Sequence, residues 1–310
     1  MVIQSAGMID VIIVNWNSGR HLADCLAALA RNNGKGLIKS TIVVDNASSD
    51  DSLAVETSPD LPLVVDRVDE NLGFGRGCNR GAALGDADFL LFLNPDARVR
   101  PGALEAGLSA LQNRRATGIV GLKLVDHAGE TQESCSTFPT ASAVLARALA
   151  LDRLPWLSRF RAFLPKAACI ESRAVDQVMG ACWFMPRPLF QALGGFDERF
   201  FMYYEDADLA LRAMQAGRGS WFEISGEVEH IGGGSSGAIP AKRLFYFLQS
   251  RFIFAKKHFG YGQYIVVLFA TLAIEPWSRL VLAGWRQGSS GFRSVIAGYR
   301  LLWCYLVSEN

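Results

Sequence analysis

Short apolar runs separated by helical patterns dominate the first 125 residues of the chain. Runs without polar alternation predict strands buried on both faces, and helices between them predict a mostly parallel sheet covered on both sides. Helices are predicted over His21–Ala30, from near Ser48–Ser49, and after Pro101. The chain is therefore predicted to be an α/β protein. The predicted strands are Val11–Val14, Thr41–Val44, Leu63–Val65, Phe89–Leu93 and Gly118–Val125.

Composition excludes several classes of protein. The chain has 310 residues, half of them hydrophobic, which suits a large folded domain with an appendage and excludes a disordered chain. Lys and Arg total 31 against 30 Asp and Glu, so no basic excess indicates a nucleic-acid partner. Six scattered cysteines without a C-x-x-C pair, and no secretory signal pattern, favour a cytoplasmic location.

Polar clusters stand where the predicted strands end, which is the edge where parallel sheets bind ligands. Carboxylates accept from a nucleobase or ribose, glycines allow close backbone approach, and a cation neutralises a pyrophosphate, so the set suits a nucleotide sugar. The glycines match neither G-x-G-x-x-G nor the P-loop pattern. Each cluster alone also fits a simple turn. The clusters are Asn15–Asn17, Asp45–Asp50, Asn71–Asn79 and Asn94–Asp96.

A later cluster predicts a general base. Phe200–Leu209 contains Glu205 and Asp206 at the start of a predicted helix that Gly217 ends. One carboxylate there could take the proton of an attacking hydroxyl, and the aromatic residues before it, such as Tyr204, could hold a sugar ring. A plain charge pair favoured by the helix dipole is the alternative.

His230 ends a predicted strand and is a candidate metal ligand. Oxygen ligands from Asp96 and from donor phosphates, with one imidazole, favour Mg²⁺ or Mn²⁺ over zinc. A lone histidine is also often purely structural, so this alternative stays open.

Together these clusters resemble bacterial family 2 glycosyltransferases, and especially their rhamnosyltransferase-like branch, over about residues 8 to 260. The resemblance rests on the order of Val44–Asp50, Asn71–Gly75, Leu93–Asp96 and Phe200–Asp206. It implies a GT-A fold with a Rossmann-like sheet. It also implies an inverting, metal-dependent transfer of a hexose from a dTDP- or UDP-linked donor, commonly dTDP-L-rhamnose, to a cell-surface glycan or lipid-linked acceptor.

The resemblance also implies roles for individual residues. Asp206 matches the base and Glu205 its acidic partner, while Asp96 and His230 match the metal ligands; Asn94 replaces the first aspartate of the Asp-X-Asp motif. Trp183 and Tyr204 are the expected acceptor-side residues. The expected donor-binding residues are Asn15, Asn17, Asp45, Asn46, Gly73, Phe74, Gly75, Asn79, Asn94 and Asp96.

The pattern along the whole chain predicts a catalytic domain over residues 1–240, whose donor-binding half ends at about residue 125 and whose acceptor-binding half follows, and a helical region over residues 241–310. A strand is predicted over Val178–Met185 and a flexible loop over Gly232–Gly237. The apolar run Ile265–Ile274 has ten residues, against about 20 needed to span a bilayer. The aromatic, basic tail therefore predicts a helix at the inner membrane surface, with packing on the catalytic domain or on another subunit as the alternative.

Two other functions are weighed. A non-catalytic sugar-nucleotide-binding module would lack the base and the metal ligands, and both are present. A sugar-1-phosphate nucleotidyltransferase calls for a Gly-rich, basic loop after the first strand, which Asn15–Arg20 matches poorly. Donor sugar, acceptor, linkage, choice of metal and oligomeric state stay open.

Overall fold

A computed structural model describes residues 7–55, 58–59, 61–166, 169–232 and 239–308. The described residues form two compact units. The sheet unit comprises those within Met1–Thr137, Phe163–Glu198 and Asp206–Ser235, and the helical unit those within Phe138–Ala162, Arg199–Glu205 and Ser236–Asn310. The predicted loop Gly232–Gly237 lies mostly outside the described residues, and the predicted domain limits stay a prediction.

A mostly parallel sheet forms the core of the sheet unit. Its strand order is β3-β2-β1-β4-β10-β6-β11-β5, with β8 also paired to β11, and β7 pairs with β9 in a second, two-stranded sheet. The strands are β1 (Ile9–Asn15), β2 (Ile38–Asn46), β3 (Leu63–Val68), β4 (Phe89–Leu93), β5 (Ala97–Val99), β6 (Thr117–Val125), β7 (Cys135–Ser136), β8 (Arg173–Val175), β9 (Gln177–Val178), β10 (Cys182–Pro186) and β11 (Gly219–His230).

Strands β3, β2, β1 and β4 are parallel, and so are β6 and β11, whereas β10 runs antiparallel between β4 and β6. The predicted α/β class and mostly parallel sheet are therefore confirmed. The nine helices of the described chain are α1 (His21–Asn32), α2 (Phe74–Ala83), α3 (Ala103–Asn113), α4 (Ala141–Ala148), α5 (Arg187–Ala192), α6 (Glu205–Gln215), α7 (Pro240–His258), α8 (Tyr261–Phe269) and α9 (Glu275–Ser308).

Two sequence predictions of local structure are wrong. The helix expected from Ser48–Ser49 is a single 3₁₀ turn, Asp51–Leu53, in which Asp50 is the N-cap and its side chain accepts from the Ser52 amide. The strand expected over Val178–Met185 is two strands, β9 and β10, with Gly180 in the break between them.

Two glycines in α2 allow this helix to pack closely against β1. A Cβ on Gly81 would lie 2.6 Å from Cγ2 of Ile12, and one on Gly77 would lie 2.9 Å from the methyl carbons of Val14. Both contacts are shorter than side chains tolerate, so only glycine lets α2 approach β1 this closely. This contact holds the start of α2, where Gly73 and Phe74 lie, against the sheet.

The helical unit has its own apolar core, formed by α4, α7, α8 and α9. Arg251 on α7 is buried and pairs with Glu275, which also pairs with Arg279 at 2.6 Å between Nη2 and Oε1. Burial of both charges is tolerated because each has a partner of opposite charge.

The apolar run near residue 270 is longer as a helix than the sequence suggests. A π-turn at Ala270–Ile274 joins α8 to α9, and it accommodates Pro276, whose ring would clash with the carbonyl four residues earlier in a regular helix. The stretch Tyr261–Trp285 has 25 helical residues and contains an 18-residue window with mean hydropathy 1.7, so it is long and apolar enough to cross a membrane by length and composition alone. The helix is therefore longer than the ten-residue apolar run seen in the sequence, and the prediction of a helix at the membrane surface stays a prediction.

Candidate active site

Strand register brings Asp96 and His230 together. Strand β5 begins directly after Asn94–Asp96 and runs antiparallel to the end of β11, with His230 opposite Ala97. The Ile231 amide donates to the Asp96 carbonyl at 3.2 Å, and Nε2 of His230 lies 3.4 Å from Oδ1 of Asp96. Two side chains 134 positions apart in the chain thus aim at one point beyond the strand ends.

The charge environment of Asp96 favours its ionised form. Burial acts to raise the pKa of Asp96, but the hydrogen bond and attraction of His230, with a further contribution from His21, hold it below its usual value. His21 stands at the start of α1, and its Nδ1 atom is buried with no hydrogen-bond partner among the described residues. His21 was not identified from the sequence. The available signal was its position at the start of the predicted helix that follows the polar cluster Asn15–Asn17.

Asp96 and His230 lie where they could hold a divalent cation together with the phosphates of a substrate. No cluster of three or more His, Cys, Asp or Glu side chains suited to a metal occurs among the described residues. Magnesium sites of nucleotide enzymes commonly take one or two protein ligands and complete the shell with phosphate oxygens and water. A carboxylate with a neighbouring imidazole supplies the protein part of such a shell.

Asp45 ends β2 within a network of buried hydrogen bonds. Strand register places Asn15 opposite Asp45, and the Asn15 amide donates to Oδ1 of Asp45 at 2.8 Å and to the hydroxyls of Ser48 and Ser52. Ser48 also donates its hydroxyl to Oδ1 of Asp45 at 2.6 Å. The amide of Asn15 is thereby fully used inside the protein, so Asn15 positions the Asp45 carboxylate.

Asn17 holds the loop beside Asp45. It adopts a left-handed conformation with φ of 48°, and its Oδ1 accepts from the Ser49 amide at 2.7 Å. Asn46 similarly donates to the Gly73 carbonyl at 3.0 Å, and its Oδ1 is buried without a hydrogen-bond partner among the described residues. These bonds align the loop after β1, the end of β2 and the start of α2.

The predicted donor residues on α2 are held by a second loop. Asn79 donates to the Phe196 carbonyl at 2.9 Å and accepts from the Phe196 amide at 2.8 Å. Phe74 packs edge-on against the Phe196 ring, with centroids 6.0 Å apart. Gly73 has φ of 83°, which requires glycine, and Gly75 is buried within α2. The Asn79 side chain thus fixes this loop.

The Asp206 carboxylate is held by donors from the break between β9 and β10. It accepts hydrogen bonds from the Gln177 side chain, the Gly180 amide and the Ala207 amide, the last at 2.8 Å. Burial nevertheless dominates and raises the pKa of Asp206 above its usual value, which makes it a stronger proton acceptor when ionised. The residue as a whole, backbone and side chain together, is only partly buried.

A short backbone link connects this carboxylate to the Asn-Pro-Asp turn. Gly180 donates to Asp206, and the next residue, Ala181, accepts from the Asn94 amide at 3.0 Å. Asp206 and Asn94 therefore flank one two-residue stretch of chain. Neither Gln177 nor Gly180 was identified from the sequence, although a glycine inside a predicted strand is a known mark of close approach.

The two predicted acceptor-side aromatics have different surroundings. Trp183 is 1% exposed and its indole N–H donates to the Val178 carbonyl at 3.1 Å, so the ring packs in the core of the sheet unit. Tyr204 contacts Phe247 and Phe254 within the helical unit. Tyr204 has a left-handed backbone with φ of 65°, as does Tyr203, with φ of 71°.

Two consecutive left-handed tyrosines represent about 1–3 kcal/mol of strain each. Hydrogen bonds within the helical unit hold this segment, since Ser250 donates to the Met202 carbonyl at 2.8 Å and Arg243 donates to the Tyr203 hydroxyl at 2.8 Å. Helix α6 begins directly after Tyr204, at Glu205, which is buried. The strained turn therefore lies immediately before the first residue of α6.

Comparison with known proteins agrees with this geometry. The family model "Glycosyl transferase family 2" matches residues 10–160. A relative from Mycobacterium tuberculosis (strain CDC 1551 / Oshkosh), N-acetylglucosaminyl-diphospho-decaprenol L-rhamnosyltransferase, is 32% identical over 273 residues, which are 82% of this chain and 86% of the relative.

Solved structures share the fold. The mannosyltransferase PcManGT from Pyrobaculum calidifontis, in complex with GDP-Man and Mn2+, is 17% identical, with a TM-score of 0.55 over 95% of this chain and 80% of its own. GalNAc-T7, with UDP, GalNAc and Mn2+, is 16% identical, with a TM-score of 0.56 over 73% of this chain; this chain spans 43% of its length. The fold is GT-A, as predicted, and the chain belongs to glycosyltransferase family 2, with rhamnosyltransferase-like character.

Proposed function

We propose that the protein is an inverting glycosyltransferase that moves L-rhamnose from dTDP-L-rhamnose to a hydroxyl of a lipid-linked glycan. The observation that carries the proposal is the Asp206 carboxylate, held by Gln177 and Gly180 next to the stretch that bonds to Asn94. The printed name of the mycobacterial relative, an L-rhamnosyltransferase acting on a diphospho-decaprenol glycan, supports the sugar and the acceptor class.

The proposed reaction is a single displacement. Asp206 removes the proton of the acceptor hydroxyl while that oxygen forms a bond to the anomeric carbon. The bond from the anomeric carbon to the donor phosphate breaks, and its electron pair leaves with the nucleoside diphosphate. Because attack and departure occur on opposite faces of the sugar, the configuration inverts. The raised pKa of Asp206 suits this role, since it increases the affinity of the carboxylate for the incoming proton.

A divalent cation, Mg²⁺ or Mn²⁺, would be held by Asp96 and His230. When bound, it would neutralise the charge that develops on the departing diphosphate. Asp45 would accept from the nucleobase, and Asn17, Asn46 and the start of α2 would line the rest of the donor site. Asn15 and Asn79 would act by positioning these elements, because their side-chain amides already bond within the protein.

A lipid-linked acceptor would place the reaction at the inner face of the cell membrane. The nucleotide-sugar donor is polar and the acceptor carries a long hydrocarbon chain, so the two meet only at a membrane surface. Direct comparison of dTDP-rhamnose with UDP- and GDP-linked sugars, measured as metal-dependent release of nucleoside diphosphate, tests the donor. A clear preference for another donor would replace rhamnose in the proposal.

The base role is tested by Asp206→Asn. We expect kcat to fall by about 10²–10⁴-fold, while the Kd for the donor, measured by calorimetry with the metal present, is unchanged. Asp86→Asn, at an exposed carboxylate paired with Lys39 on the surface, is the control and should keep full activity. Normal turnover by Asp206→Asn would exclude Asp206 as the base.

A further inference from the structure

The helical unit exposes a continuous apolar band along α8 and the first part of α9. Its members follow one another at four-residue steps, interrupted once by the π-turn, and residues four apart are neighbours on a helix surface. The exposure is large: 82% for Tyr261, 71% for Trp277 and 84% for Trp285. The members are Tyr261, Ile265, Phe269, Trp277, Val281 and Trp285.

The second part of α9 also exposes large apolar side chains, those of Phe292, Ile296, Trp303 and Val307. Among the described residues, more than half of all exposed large apolar side chains belong to α8 and α9. Soluble proteins rarely leave so large a contiguous apolar surface in water, so a partner is expected to cover it.

The opposite side of the same helices is already occupied by protein. Val267, Ala270 and Leu302 are fully buried in the core that α8 and α9 share with α4 and α7. Glu275, in the middle of the long apolar stretch, is also buried and pairs with Arg251 and Arg279. A helix that crossed a bilayer here would carry α7 and this charged cluster into the hydrocarbon, at a high cost in desolvation.

Charge identifies the kind of surface that the band fits. Residues 240–308 contain nine Lys and Arg and one acidic residue, Glu275, whereas the whole chain has a net charge of only +1. The single acidic side chain is buried, and Lys242, Lys256, Arg293 and Arg300 are exposed. The helical unit therefore presents apolar and cationic groups together, with no exposed carboxylate among its described residues after Pro240.

We propose that α8 and α9 lie along the surface of an anionic phospholipid bilayer, with the apolar band inserted at the level of the headgroups. Tryptophan and tyrosine prefer that level because their rings are apolar and their N–H or O–H groups stay hydrated. Lysine and arginine beside the band pair with lipid phosphates. The inference extends the proposed function, since this surface would carry the acceptor, but it does not depend on catalysis.

Vesicle flotation of the full chain tests the proposal directly. We expect binding to vesicles of mixed phosphatidylcholine and phosphatidylglycerol, weaker binding to phosphatidylcholine alone, and weaker binding at high salt. The double variant Trp277→Gln/Trp285→Gln should lower the partition coefficient by about a hundredfold, because each buried aromatic ring contributes roughly tenfold. Circular dichroism verifies that the variant is folded.

A matched control exists in the same unit. Trp156 is 75% exposed but lies outside α8 and α9, so Trp156→Gln should bind vesicles like the unmodified chain. Equal loss in both variants, or no binding to anionic vesicles, would overturn the proposal. Retention in the membrane after extraction at alkaline pH would show a spanning helix. If the unmodified chain is a dimer without lipid and the Trp277→Gln/Trp285→Gln variant is a monomer, the band is covered by a protein partner. Either result also overturns the proposal.

Vesicle binding and catalysis test two separate proposals, and one can be wrong while the other holds. Asp206→Asn should bind vesicles normally and lack turnover. If the proposed transfer reaction is wrong, the vesicle result is unaffected. If the band is not a membrane surface, activity on a short, water-soluble acceptor should still be lost in Asp206→Asn.

Discussion

At the scale of single residues, Gly180 contacts the proposed base closely because it has no side chain. A Cβ at this position would lie 3.3 Å from Oδ2 of Asp206, closer than most side-chain carbons are found to approach, and the Gly180 amide donates to the same carboxylate. The residue therefore both holds Asp206 and limits where it can lie.

Gly180→Ala should displace the Asp206 carboxylate by a few tenths of an ångström. We expect kcat to fall by about tenfold, because small errors in position at a reacting group are costly, while the thermal midpoint changes little. Gly34→Ala is the control, since no atom lies within 4 Å of its added carbon. Unchanged kcat in Gly180→Ala would show that this contact does not position the base.

Gln177 makes the pH dependence of the reaction testable. Burial raises the pKa of Asp206, and the hydrogen bond from Gln177 opposes that rise by stabilising the ionised form. Gln177→Met removes the donor, so the pKa should rise further. Because the base works only when ionised, the acid limb of the plot of kcat against pH should move to higher pH. An unmoved limb with reduced kcat would mean that Gln177 acts only through structure.

At the scale of elements, a buried ion pair ties together the elements under the site. Arg187, at the start of α5, donates to Asp10 on β1 at 2.6 Å, to the carbonyl of Ala82 in the last turn of α2 and to the carbonyl of Ala87 between α2 and β4. Asp10 also accepts from the Ala87 amide at 2.8 Å. One side chain thus links the strand that precedes the donor loops to the connection that leads to Asn94–Asp96.

Arg187→Met should lower the free energy of unfolding by about 3–5 kcal/mol, because it leaves the Asp10 carboxylate buried without its counter-charge. Urea denaturation measures this loss. Lys39→Met, which breaks an exposed ion pair with Asp86, is the comparison and should have little effect. Equal midpoints for the two variants would mean that the buried pair contributes no more than a surface one.

At the scale of the whole molecule, the sheet unit and the helical unit each contain their own buried ion pairs. The core of the helical unit contains the Arg251–Glu275–Arg279 cluster, and the tyrosine segment before α6 also contacts α7. Although burial acts to raise the pKa of Glu275, the two arginines hold it below its usual value. The stabilisation from this carboxylate is therefore present above the unfolded-state pKa, near 4.5, and is lost as the pH falls through the lower folded-state value.

Glu275→Gln should loosen the helical unit selectively, by about 3–5 kcal/mol, since Arg251 is left buried with its charge uncompensated. Hydrogen exchange followed by mass spectrometry should show faster exchange in α7, α8 and α9, with β1, β2 and β4 unchanged. Acidification of the unmodified chain should likewise accelerate exchange in α7, α8 and α9 before it accelerates exchange in β1, β2 and β4. Uniform acceleration in both units would instead show that they unfold as one.

The sequence by itself determined the elements and the candidate chemistry. Apolar runs predicted β1, β2, β4 and β6 because burial on both faces leaves no polar alternation, and the helical period predicted α1. Asp96, Asp206 and His230 were recognised because polar residues at strand and helix ends are local features of the chain.

Only the tertiary structure decided which side chains meet. The register of β5 on β11 brings His230 to Asp96, and the break between β9 and β10 brings Gln177 and Gly180 to Asp206. Such pairings depend on strand register and chain reversal, which join residues from 26 positions (Gly180 and Asp206) to 134 positions (Asp96 and His230) apart and leave no periodic trace. For the same reason, only the structure could show that the Asn15 amide and the Trp183 ring are used inside the protein.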